Sequence, residues 1–122
     1  NAMELCQPKL GDTMVVIGAG PLGILLTELG RLMGVTKTIV VNRSRPRLEI
    51  AKQYGVDVTI CSYDTGEDAA AAQDPALALL EKGGSTTASA LVRGKKLLVV
   101  TDKRKADPSG RSINAITRAF RK

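Results

Sequence analysis

The chain has 122 residues, 43% apolar and 25% charged, enough for one domain with one modest core. Its net charge is +6, yet it contains no histidine, which excludes His-based acid–base catalysis and His metal ligands. Two cysteines, Cys6 and Cys61, cannot complete the four-ligand set of a zinc site, and no apolar run approaches the ~20 residues that span a bilayer.

In chain order, Asn1-Ala2 precede Met3, and residues 1–10 read as a lead-in or tag remnant. Gly11-Asp12 is a turn signal before Thr13–Ile17, a short apolar β-rich run that predicts a buried strand. Gly18 to Gly23 follow. Leu22, Ile24, Leu25, Leu26, Leu29, Leu32 and Met33 then recur at helical spacing, and Gly34 ends that helix. Thr38–Val41 is a second strand. Ser44 caps a helix from Arg45 to about Tyr54, with Gly55 as its stop, and Val56–Ile60 is a third strand.

The second half is plainer in composition. Glu67–Ala72 is Ala-rich and helical. Asp74 as N-cap and Pro75 at the first helical position open a helix that runs to Lys82. Ser85–Arg93 reads as a further helix ending at Gly94, so no strand is expected between Ser62 and Gly94. Lys95–Thr101 is a fourth strand, Asp107–Gly110 a turn, and Ser112 the cap of a last helix with Ile113, Ile116 and Phe120 on one face. Short connections between alternating strands and helices predict an α/β domain over 1–122. Its parallel sheet would be partial and doubly wound, about four strands with helices on both faces.

The charge is uneven. Residues 1–92 carry 8 Lys/Arg and 10 Asp/Glu, whereas residues 93–122 carry 10 and 2. Lys103-Arg104-Lys105 and the basic segment 102–122 have almost no aromatic residues among them. They read as a solvated basic face rather than a nucleic-acid site. No secretory signal pattern opens the chain, and free thiols rather than a disulfide suit a cytoplasmic α/β protein. Tyr63 and Lys82 lack the Tyr-x-x-x-Lys spacing of another dehydrogenase class, and Ser85-Thr86-Thr87 serves equally as a phosphate contact or a loop.

Gly18-Ala19-Gly20-Pro21-Leu22-Gly23 matches G-x-G-x-x-G between a predicted strand and helix, the context in which this motif binds a dinucleotide. Gly18 allows the tight turn, Gly20 lets a pyrophosphate approach the backbone, and Gly23 lets helix and strand pack closely. The helix N-terminus offers unpaired N–H groups to the phosphates. The alternative is a tight turn without a ligand. At the end of the second strand stands Asn42, where an NAD site usually has Asp or Glu. Asn42 does not repel a 2′-phosphate, and Arg43, Arg45 and Arg47 attract one or else solvate a helix start. NADP is therefore favoured slightly over NAD.

Residues 11–60 resemble the coenzyme-binding Rossmann domain of medium-chain, zinc-type dehydrogenases, with the sorbitol and other polyol dehydrogenases nearest. The Gly-Asp-Thr start, Gly-Ala-Gly-Pro-Leu-Gly, Arg47-Leu48 with Ala51-Lys52, and Gly55-Val56-Asp57 stand in that family's order. The resemblance implies a nicotinamide dinucleotide, here at Gly18–Gly23, Asn42, Arg43 and Arg47, a dimer or tetramer, and hydride exchange with an alcohol; the edge strands of a parallel sheet and uncovered apolar surface lead to the expectation of a homodimer. It also implies zinc only in a separate catalytic domain, absent here, so the chain alone is expected to be inactive and no catalytic residue is assigned. Residues after Ile60 do not follow the family. A non-enzymatic nucleotide-binding module, or a truncated remnant with a basic partner-binding tail, is the alternative.

Overall fold

A computed structural model describes residues 2–82, 88–101 and 110–122. Among them are six helices and five strands, an α/β architecture whose first half is Rossmann-like. The chain divides into two compact units, Asn1–Thr59 and Ile60–Lys122.

The first unit contains α1 (Ala2–Cys6), β1 (Thr13–Ile17), α2 (Pro21–Leu32), β2 (Lys37–Asn42) and α3 (Arg45–Gln53). β3 (Val58–Ser62) leads from this unit into the second. β1 and β2 pair in parallel, Thr13 opposite Lys37 through Ile17 opposite Val41. One face of β1 lies under α2, where a Cβ on Gly30 would strike the Met14 side chain. Val16, Val35, Val40, Leu48, Ala51, Val56 and Val58 are buried. The opposite face of β1 is open, with Val15 56% and Ile17 87% exposed.

β3 begins two residues later than the predicted Val56–Ile60. Val56 donates its N–H to Ala51 O and so still belongs to the end of α3. Asp57 turns its carboxylate onto β2, accepting from Thr38 N at 2.8 Å and Thr38 Oγ1 at 3.1 Å. Capping and a side-chain clamp thus use the first two residues before strand pairing begins. Ser44 is the N-cap residue of α3, although its side chain makes no cap bond.

The second unit contains α4 (Gly66–Ala71), α5 (Gln73–Lys82), β4 (Ser89–Arg93), β5 (Lys96–Val100) and α6 (Arg111–Arg121). Thr65 caps α4 by accepting from Asp68 N at 3.1 Å. Leu97, Leu98, Val99 and Val100 are buried, as are Ala69, Ala76, Leu80, Ala90 and Ile113.

Four sequence expectations are corrected here. The described part of the predicted Ser85–Arg93 helix is the strand β4, so the strands among the described residues number five where about four were expected. β4 pairs antiparallel with β5, Ser89 opposite Val100 through Arg93 opposite Lys96, so the arrangement is not wholly parallel. The cause is the two-residue turn Gly94-Lys95, with Gly94 at φ +55°, which folds 89–93 back on the apolar 97–100. The predicted caps at Asp74 and Ser112 also move. α5 opens at Gln73, and α6 is capped by Gly110 at φ +67°. Both thiols are free, Cys61 buried and Cys6 exposed. Ser85-Thr86-Thr87 and Lys103-Arg104-Lys105 lie outside the described residues.

Candidate functional site

The motif glycines differ in what the fold requires of them. Gly18 has φ +108°, a conformation that a side chain would strain, and its N–H donates to Val41 O at 2.8 Å. That bond holds the turn beside the end of β2, one residue before Asn42. A Cβ on Gly23 would collide with the Gly18 carbonyl oxygen and press on Val16 Cγ1 at 3.4 Å. Gly20 has neither constraint. Its φ is −81°, and a Cβ there would meet nothing within 4 Å.

Gly20 is also the N-cap of α2, so no side chain caps the helix. Pro21 has no N–H, and helical bonding starts with Ile24 N–H on Gly20 O at 3.0 Å. The Leu22 and Gly23 amides therefore precede the first intrahelical donor and have no acceptor within the helix. An anion above Gly20 would meet these donors and the positive end of the helix dipole without steric hindrance.

Ala19, Gly20, Pro21 and Arg47 line one groove of about 620 Å³ between α2 and α3. Ile24, Leu25, Glu28, Ile50 and Tyr54 complete it; sequence reasoning did not single these out for the site. Their signal was legible as helical spacing, Ile24 to Glu28 on α2, and Arg47 and Ile50 on α3 with Tyr54 at its C-cap. Arg31 fastens the far end of the groove, donating to Glu28 Oε1 at 2.8 Å and to Tyr54 O at 3.1 Å. The Leu22 side chain belongs elsewhere, in a groove with Met3 and Pro8, so its contribution at the turn is its amide. Asn42 and Arg43 stand at the end of β2, outside the α2–α3 groove. Arg43 is exposed, and Asn42 Nδ2 is buried with no hydrogen-bond partner. An orphaned buried donor costs about 1–3 kcal/mol unless something accepts from it.

No family model matches the chain. An L-threonine 3-dehydrogenase of Saccharopolyspora erythraea is 32% identical over 62 residues, 51% of this chain and 18% of that protein. An alcohol dehydrogenase of Cupriavidus necator is 40% identical over 57 residues, 47% of this chain and 16% of that one. The sorbitol dehydrogenase of Rattus norvegicus is 40% identical over 52 residues, 43% and 15% respectively. This chain is a partial-length relative of the alcohol and polyol dehydrogenases.

The matched stretch spans less than a fifth of these dehydrogenases. The zinc that the dehydrogenase resemblance implies does not fit the residues of this chain. It has no histidine, and among the described residues no group of three His, Cys, Asp or Glu could hold a metal ion. Nor is any described helix long and apolar enough to cross a membrane.

Proposed function

We propose that the first unit is the dinucleotide-binding part of a medium-chain, zinc-type alcohol or polyol dehydrogenase. It would hold the adenosine and pyrophosphate of NADP or NAD. The observation that carries this is Gly20. The fold makes Gly18 and Gly23 necessary, but nothing inside the protein requires glycine at position 20. Its emptiness is explained by a group from outside that must approach the backbone at the start of α2.

Ala19, Pro21 and Leu22 shape that approach, and Arg47 reaches it from α3. The orphaned Asn42 Nδ2 is a donor suited to a ribose hydroxyl or a 2′-phosphate oxygen. Asn42 brings no negative charge and Arg43 and Arg47 bring positive charge, which favours NADP over NAD. When bound, the nicotinamide ring supplies the hydride acceptor or donor. The residues of this chain orient the cofactor only. Zinc activation of the alcohol falls to residues other than these, and this chain alone turns over no alcohol. A cytoplasmic location and a homodimer belong to the same reading.

Calorimetric titration of the chain and of Gly20→Ala with NADP and NAD tests the proposal. The parent should bind both, NADP more tightly. Gly20→Ala should weaken both at least tenfold while its melting temperature stays within a degree or two. Equal affinity of parent and variant, or no binding by either, would leave the motif a structural turn.

A further inference from the structure

The strongest feature outside that site is a concentration of positive charge in the second unit. Arg93 ends β4, Lys95 sits in the turn and Lys96 begins β5. Arg93 donates through Nη1 to Phe120 O at 3.1 Å and through Nη2 to Lys122 O at 2.5 Å. These bonds bring the hairpin turn against the C-terminal end of α6, where Arg118, Arg121 and Lys122 stand three and four residues apart. All six cations are exposed. Among the described residues, the side chains of Lys95, Lys96, Arg118, Arg121 and Lys122 form no ion pair, and the terminal carboxylate of Lys122 answers Arg93 alone. Asp64 and Glu67 are acidic residues of the same unit. They come from the segment that meets the same turn through Tyr63 N–H on Lys95 O at 2.7 Å and through Gly66.

This arrangement is locally unfavourable. Arg93 and Lys96 are directly opposite in the hairpin, where like charges destabilise the pair. Arg118 repels Arg121 and Lys122 at helical neighbour spacing. A fold that tolerates such repulsion in two adjoining places is suited to an external polyanion.

Composition alone reads 102–122 as a solvated face, but the fold adds the hairpin cations Arg93, Lys95 and Lys96 to the end of α6, and we infer that this combined surface binds the phosphate backbone of duplex nucleic acid without reading sequence. The chemistry selects among polyanions. The apolar side of α6 is turned inward, with Ile113 buried and Ile116 and Phe120 half-buried, so nothing apolar is offered to a membrane. Phe120 and Tyr63 are both at least half covered, so no exposed aromatic platform for unpaired bases accompanies the cations. What remains is an array of cations that matches regularly spaced phosphates. The inference is independent of the dinucleotide reading.

Fluorescence anisotropy of a labelled duplex of about 20 base pairs, titrated with the full chain over a range of salt, tests it. Binding should be on the order of 10–100 μM at physiological salt, with log K falling against log salt at a slope of up to about −5. The double variants Lys95→Glu/Lys96→Glu and Arg118→Glu/Arg121→Glu should each flatten that slope by about two and weaken binding at least tenfold. Circular dichroism and thermal melting confirm that each variant is folded, and if one pair unfolds the chain the other decides. Three results would overturn the inference: salt-independent or absent duplex binding; tighter binding to phosphatidylserine vesicles or to a single strand of equal length; or loss of binding only on substituting Lys103, Arg104 and Lys105 by Ala.

Discussion

Three glycines in one six-residue turn carry three different obligations. Gly18 is needed for its backbone angle, Gly23 for the space its missing side chain leaves, and Gly20 for neither. Substitution separates them. Gly23→Ala forces a Cβ onto the Gly18 carbonyl, and because both partners are backbone, relief requires α2 to move away from β1. A loss of about 1–3 kcal/mol is expected in chemical denaturation. Gly20→Ala should show almost none. At the end of β2, Asn42→Asp should restore repulsion of a 2′-phosphate and shift preference toward NAD. Arg43→Ala should weaken NADP more than NAD, by about 1–3 kcal/mol, in calorimetric titration. Equal effects on both cofactors would assign Arg43 to solvation of the helix start. The motif and its strand–helix context were legible from residue types alone. The division of labour was not, because it depends on where Gly18 O and Val16 come to rest after packing.

Elements were legible where local chemistry and tertiary demand agree. β1, α2, β2 and α3 follow the apolar periodicity and the glycine stops at 34 and 55 to within a residue or two. Where the sequence was ambiguous, partners decided. Ser89-Ala90-Leu91-Val92-Arg93 has no strong period of its own, and it becomes a strand because the apolar 97–100 needs a neighbour and Gly94 can turn. Likewise Asp57 reads as strand but is drawn out of it by Thr38. The hairpin gives a direct check. A Cβ at position 94 meets no atom within 4 Å, so any cost of replacing Gly94 is conformational, from φ +55°. Gly94→Ala should destabilise by about 1 kcal/mol, and Gly94→Asn by clearly less, since Asn tolerates this region. Equal denaturation midpoints for the two variants would show that the turn relaxes to another geometry.

At the scale of the whole molecule, the first unit leaves much apolar surface in water. Leu22, Leu25, Leu29, Leu32 and Met33 are exposed along α2, and Val15 and Ile17 on the open face of β1. The helical periodicity of α2 was read from the sequence as a core-facing pattern, but six leucine and isoleucine positions in a twelve-residue helix exceed what one packed face can hold. The surplus stays outside. Contiguous apolar patches of this kind on soluble proteins mark interfaces. β1 adds a second reason for association, because among the described residues it pairs only with β2 and keeps one edge free. A two-fold pair of chains would cover matching patches on both copies at once. A homodimer is therefore expected by light scattering at tens of micromolar. Leu25→Glu with Leu29→Glu places charge in the middle of the α2 stripe and should shift the population to monomer without lowering the melting temperature of the fold. If the parent is already monomeric at that concentration, this surface does not join copies of the chain. If the parent is dimeric and the double variant remains so, the dimer is held elsewhere, and the free edge of β1 is the contact to test next, with Val15→Lys.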